Sequence, residues 1–169
     1  MITSAVRGVV VTALTTTLAL LPSLAQAEEK DKDNDIERVE LTGVSWLDTS
    51  PREIRPGDSW VTYLDLYSEK KAKNTKKSDR KSLERAGDGQ SECSAVSRHH
   101  GAVTAQCTRT LRLKKGTLTL SDMITYVPHK RVTAKTAITG GTGHYRSAYG
   151  DGYITLDGRH VHLELNVDE

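Results

Sequence analysis

The sequence predicts an all-β fold, an antiparallel sandwich or closed barrel of roughly seven or eight strands with short connections. Three observations predict it. In residues 160–167, Val161, Leu163, Leu165 and Val167 alternate with His160, His162, Glu164 and Asn166, so one face is apolar and the other polar. Val132, Ala134, Thr136 and Ile138 alternate similarly with Thr133, Lys135 and Ala137. Elsewhere, short runs of Val, Thr, Leu and Tyr are broken by Gly, Pro, Asp and Asn, with few stretches of helical period. Closure into a barrel would leave no exposed edge.

The chain begins with an export pattern. Arg7 is followed by a run from Gly8 to Leu21 whose only polar members are threonines, then Pro22, then Ala25-Gln26-Ala27. A basic start, an apolar middle and a small-x-small end form a cleavable secretory signal over residues 1–27, cut after Ala27. The alternative, an uncleaved anchor, would need a longer apolar core. Cleavage leaves residues 28–169, enough for one domain with its own core and destined for secretion or the cell envelope. The signal removes only Arg7 of the charged side chains, leaving 23 basic against 22 acidic. A chain so close to neutrality requires no polyanionic partner, and no nucleic acid is expected.

Residues 28–38 are almost all charged, with Ile36 the one large apolar side chain, and read as a solvated tether. The barrel domain then occupies 39–169. Val39 to Leu47 and Trp60 to Tyr67 form strands joined through Pro51, Pro56 and Gly57. Residues 69–90 carry Lys70, Lys71, Lys73, Lys76, Lys77, Arg80, Lys81 and Arg85 with little that is apolar, so they form a solvated surface loop; a lid or an anion-binding arm is the alternative. A hairpin follows, centred on His99-His100-Gly101. Leu111 and Leu113 precede the Lys115-Gly116 turn and Leu118 and Leu120 follow it, giving another. Strands at 132–138, 148–156 and 160–167 complete the set. Three glycines within 140–143 permit a tight reversal, and Gly150 and Gly152 let a strand coil sharply at a barrel corner. Tyr145 is expected to pack beneath that corner as a structural residue.

Cys93 and Cys107 flank the first hairpin, and a symmetric turn sets them opposite one another. In an oxidising compartment such a pair tends to bridge, adding about 3 kcal/mol by restricting the unfolded chain. Two reduced thiols remain the alternative, because the geometry of a bridge is strict.

The series Arg55-Pro56-Gly57-Asp58, Thr108-Arg109-Thr110-Leu111-Arg112-Leu113, Lys115-Gly116-Thr117-Leu118-Thr119-Leu120 and Ile138 to Gly150 resembles the bacterial allene oxide cyclase-like and dirigent-like barrel proteins. Its most specific part is the glycine turn followed by Tyr145-Arg146-Ser147-Ala148-Tyr149-Gly150. The similarity covers most of 39–167 and leaves 69–90 as an insertion. It implies an eight-stranded antiparallel barrel of allene oxide cyclase/dirigent type with an apolar lumen, often oligomeric. It further implies steering or cyclisation of hydrophobic small molecules without a cofactor, bacterial relatives including polyketide cyclases.

Nucleotide and nucleophile chemistry find little support in the residues. Gly141-Thr142-Gly143 lacks a third glycine at Arg146 and precedes a strand, so no helix terminus is available for a phosphate. No Gly-x-Ser-x-Gly motif occurs. His160-x-His162 with Glu164 has a spacing that sheet zinc sites use, but period two alone produces it, and no metal is expected. A lumen that holds a flexible apolar substrate would work by proximity, aided by a carboxylate or phenol. By residue type and strand location, the candidate catalytic residues are Glu40, Tyr63, Asp65 and Tyr126, and the candidate substrate-binding residues are Trp46, Trp60 and Tyr153. The expected function is ring formation in a hydrophobic, polyketide-like intermediate, close to or beyond the membrane. The alternative is a secreted binder that orients such a molecule.

Overall fold

Alternating burial runs through the strands in phase, and this closes the sheet on itself. The computed structural model describes residues 36–69 and 83–168. They form eight strands: β1 (Glu37–Asp48), β2 (Ser59–Glu69), β3 (Leu83–His99), β4 (Ala102–Leu113), β5 (Gly116–Tyr126), β6 (Val132–Gly141), β7 (Tyr149–Asp157) and β8 (His160–Asp168). Each is antiparallel to the next, and β1 pairs with β8, through Val39 opposite Leu165 and Leu41 opposite Leu163, to close the barrel. The described residues contain no α-helix, only a 3₁₀ turn at Gly143–Tyr145.

One face of each strand looks inward. In β8 the inward residues are Val161, Leu163, Leu165 and Val167, and in β2 Trp60, Leu64 and Leu66. The core has two parts. At one end Leu64, Leu66, Leu111, Leu118, Leu120, Ile154, Leu163 and Leu165 pack together beneath Tyr145, which is 3% exposed. Each such aliphatic side chain contributes roughly 1.5–3 kcal/mol by leaving water. Toward the other end lie Ile54, Trp60, Cys93, Ala95, Val103, Ala105, Cys107 and Ile124, where the small Cys93, Ala95, Ala105 and Cys107 fill less of the lumen.

Tyr145 therefore plugs the closed end, as its place after the glycine turn predicts. Gly143 has a φ of 65°, the left-handed conformation that glycine adopts without a Cβ penalty. Gly150, at φ 128°, lies where a Cβ would strike the Asn166 carbonyl oxygen, so the close β7–β8 approach demands glycine. At the same end Glu37 takes hydrogen bonds from Lys115 Nζ at 2.7 Å and with His144 Nε2 at 3.0 Å. Burial pushes the Glu37 carboxyl up, but the hydrogen bonds and charges of Lys115 and His144 outweigh it and hold the carboxyl below its usual value.

Two boundaries differ from the sequence expectation. Glu37 and Arg38, assigned to the tether, are strand, paired with Val167 and Asn166. Residues 83–90, assigned to the basic loop, are the first part of β3. The inward positions there are Gly87 and Gly89, which pack against β4 without the apolar signature of a strand. The signal at 1–27, the tether at 28–35 and the centre of the basic loop at 70–82 lie outside the described residues.

Candidate functional site

Three of the connections at one end of the barrel, 49–58, 127–131 and 158–159, surround the mouth of a cavity of about 690 Å³. That volume is in the range of small-molecule sites. Ser68 and Leu83, which flank the basic segment, lie at the opposite end of their strands. The apolar part of the cavity wall is formed by Ile54, Trp60, Ile124, Leu156 and Val161, with Cys93 and Cys107.

The long β1–β2 connection is held in place over this wall. The Gly57 N–H donates to the Ala95 carbonyl and the Ala95 N–H to the Asp58 carbonyl, each at 2.8 Å. Arg98 Nη1 donates to the Ile54 carbonyl at 3.0 Å, and the Arg55 N–H to Asp58 Oδ2 at 2.7 Å. Ile54, 6% exposed, is thereby turned into the mouth beside Trp60.

Below the apolar wall lies a layer of buried polar side chains. Arg109 occupies the inward phase of β4, between Cys107 and Leu111, and Asp122 the inward phase of β5, between Leu120 and Ile124. Their side chains are 4% and 0% exposed. Arg109 Nε donates to Asp122 Oδ2 at 2.8 Å and Nη2 to Oδ1 at 3.0 Å, a bidentate pair. Arg109 Nη1 donates to Ser91 Oγ at 2.7 Å, and the Thr136 hydroxyl donates to Asp122 Oδ2 at 3.3 Å. Thr136 reaches across a gap in the ladder, since β5 and β6 pair only from Leu118 to Ser121.

Arg109 and Ser91 line the cavity, whereas Asp122 lies behind them. A guanidinium has five N–H donors, and this one uses three, so two are left for a ligand. The Ser91 oxygen accepts from Arg109, which leaves its own proton to donate. The floor of the cavity, beneath its apolar wall, is thus a preorganised set of donors, suited to a carbonyl or oxyanion. Nearer the mouth, burial pushes the Tyr126 phenol up, the Asp48 carboxylate adds to this, and Arg109 opposes it. The phenol is therefore protonated at neutral pH and donates rather than accepts a proton.

Of the residues expected at the site, Trp60 and Tyr126 line the cavity and the other five do not. Tyr63 and Asp65 stand in the outward phase of β2, opposite to Leu64 and Leu66; Asp65 pairs there with Arg85 Nη2 at 2.9 Å. Glu40 is outward between Val39 and Leu41 and pairs with Arg38 at 2.8 Å. Trp46 sits at a bulge in β1, where the register slips between Ser45 and Leu47, and stacks on Tyr63 outside the barrel at 5.3 Å. Tyr153 is outward beside the buried Ile154. For Glu40, Tyr63, Asp65 and Tyr153 the side chain takes the phase opposite to a buried neighbour, as the pleat requires; Trp46 is turned out by the bulge. His162, also outward, forms a hydrogen bond with Thr42 Oγ1 at 3.3 Å through Nδ1.

Arg109, Asp122, Ser91 and Thr136 were not among the expected residues. The signal for the charged pair was a single Arg and a single Asp in the apolar phase of two adjacent strands.

Cys93 and Cys107 are joined by a disulfide. The turn has two residues, His100 and Gly101, and a ladder continued from it would set Cys93 against Thr108. Val96 bulges out between Ala95 and Ser97, shifts the register by one and brings the cysteines opposite.

Solved structures similar to this one include a pyocyanin demethylase, with a TM-score of 0.56 and 19% identity over 78% of this chain and 99% of that one. Another is the pterocarpan synthase dirigent protein GePTS1, with a TM-score of 0.51 and 14% identity over 90% of this chain and 99% of that one. The chain thus has the dirigent and allene oxide cyclase-like eight-stranded barrel fold. Comparison with family models and with curated proteins finds no match.

Proposed function

We propose that the protein is an exported, cofactor-independent cyclase that closes a ring in a hydrophobic, polyketide-like molecule held in the barrel cavity. The observation that carries this reading is the Arg109–Asp122 pair at the floor of an apolar cavity. An ion pair removed from water stabilises a fold little, or costs stability, relative to well-packed apolar residues. Its position supplies a use: two unengaged guanidinium donors and the Ser91 hydroxyl face bound substrate.

An intramolecular cycloaddition suits these groups. Its two new carbon–carbon bonds form from the π electrons of one molecule, no atom leaves, and no oxidant, reductant or proton acceptor is consumed. Confinement of the reacting ends supplies up to about 7–11 kcal/mol in favourable cases. Hydrogen bonds from Arg109 to a carbonyl conjugated with the reacting double bond draw electron density from it and lower the barrier further. Two solved structures with this fold are named for reactions of small organic molecules. The 1–27 signal pattern and the disulfide favour action outside the cytoplasm.

The second reading, a binder that orients a ligand without turnover, is favoured by one feature. The carboxylate of Asp122 is fully enclosed and committed to Arg109 and Thr136, so it is not placed to move a proton.

Incubation with linear polyenes that carry a terminal enone separates the readings. The cyclase closes the ring in many molecules per chain, and the Arg109→Met/Asp122→Leu double variant loses about a hundredfold or more in kcat. Saturable binding with no acceleration over buffer leaves the binder as the correct reading.

A further inference from the structure

The charges at the cavity mouth are unbalanced. Arg52 from the 49–58 connection, Lys130 from the 127–131 connection and Arg159 from the β7–β8 turn all line it. The acidic residue among the lining side chains is Asp48, whose Oδ1 already accepts the Ser50 N–H at 2.9 Å. The Arg109–Asp122 pair on the floor is internally neutral, and Glu53, in the same connection as Arg52, pairs with Arg55 at 3.7 Å.

Several cations away from the mouth are placed differently. Arg38, Arg85, Arg112, Lys114 and Lys115 each meet a carboxylate within 2.6–2.9 Å. Arg52 and Lys130 meet none among the described residues. Arg159 is fixed by hydrogen bonds to a neutral acceptor, Nε at 3.1 Å and Nη2 at 2.8 Å from the Ser45 carbonyl, which leaves Nη1 uncommitted. Three cations converge from separate connections on an opening with low-dielectric walls, an arrangement that focuses their field on what enters.

We propose that the ligand is an amphipathic organic anion. Its apolar body lies against Ile54, Trp60, Ile124, Leu156 and Val161, and its carboxylate or equivalent acid group stays at the mouth with Arg52, Lys130 and Arg159. This rests on the reading of the cavity as a small-molecule site and adds the ligand's charge and direction of entry. The acid end faces solvent while the reacting end reaches Arg109. An arginine rim also suits a carboxylate, which it can bind with two parallel hydrogen bonds.

The test uses the full mature chain carrying Trp46→Phe, which leaves Trp60 in the cavity wall as the sole tryptophan. Its fluorescence is titrated with decanoate, 1-decanol and decylammonium, matched in chain length and different in charge. Decanoate is expected to bind about tenfold tighter than decanol, as a few solvent-facing ion contacts supply, with decylammonium weakest. In Arg52→Gln/Lys130→Gln the decanoate-to-decanol ratio falls to within about threefold of unity, whereas Arg52→Lys/Lys130→Arg retains it. Equal binding of decanoate and decanol by the parent chain overturns the anion proposal and leaves the cavity as a binding site. Saturable binding of none of the three overturns both.

Discussion

Arg109 and Asp122 bring opposite charges into an apolar lumen, and neither can be removed alone without leaving the other buried and unpaired. Asp122→Ala or Arg109→Met is expected to lower unfolding stability by about 3–5 kcal/mol, measured by urea denaturation. Replacement of both, as Arg109→Met/Asp122→Leu, is expected to restore stability to within about 2 kcal/mol of the parent, because packed apolar side chains substitute for a buried pair at little cost. Single substitutions costing under about 1 kcal/mol would mean that water reaches the pair and that the floor is not the dry donor set described. The pair was legible in principle. Val103, Ala105, Cys107 and Leu111 mark the inward phase of β4, and Arg109 falls on it; Leu118, Leu120 and Ile124 do the same for Asp122. By the same phase Tyr63 and Asp65, which alternate with Leu64 and Leu66, point outward, as does Glu40 between Val39 and Leu41. Residue type alone does not distinguish the two faces, because aromatic and acidic side chains occur on the outer one as well.

The β3–β4 hairpin joins stability to the cavity wall. Its disulfide closes a short loop, with a sequence separation of 14, and both cysteines face the cavity. Cys93→Ala/Cys107→Ala is expected to lose about 3 kcal/mol of unfolding stability under oxidising conditions, measured by denaturant titration. Reducing agent should bring the parent chain toward the same value and leave the variant unchanged; a parent insensitive to reduction would contradict the bridge. The opposition of the two cysteines was legible in the symmetric spacing around His100. The path to it was not, because a bulge at Val96 depends on how the strand coils rather than on any local motif. The start of β3 was hidden for a different reason. Gly87 lies against the Arg112 backbone and Gly89 against the Leu111 and Leu66 side chains, so two of the inward positions carry no side chain to reveal the strand. Trp46 misled in the opposite direction, as a large aromatic whose bulge position turns it outward onto Tyr63.

At the scale of the molecule, the barrel divides its lumen into two unequal halves. Large aliphatic side chains and Tyr145 fill one end, and smaller residues leave the other open above the Arg109 layer. Strand number, antiparallel order and the plug beneath the glycine turn follow from alternation and turn chemistry, which act locally and leave a trace in every few residues. The cavity depends on which inward positions are small and on which connections share an end, and both become visible only when eight strands close. The most direct test of the central claim, that this open half binds an apolar molecule with its polar group on Arg109, is a fluorescence titration of the Trp46→Phe chain with 2-acetylnaphthalene. Saturable, one-to-one quenching of Trp60 is expected, with an affinity at least about tenfold weaker in Arg109→Met/Asp122→Leu, through loss of charged hydrogen-bond donors. Quenching that does not saturate, or an equal affinity in the double variant, would contradict it.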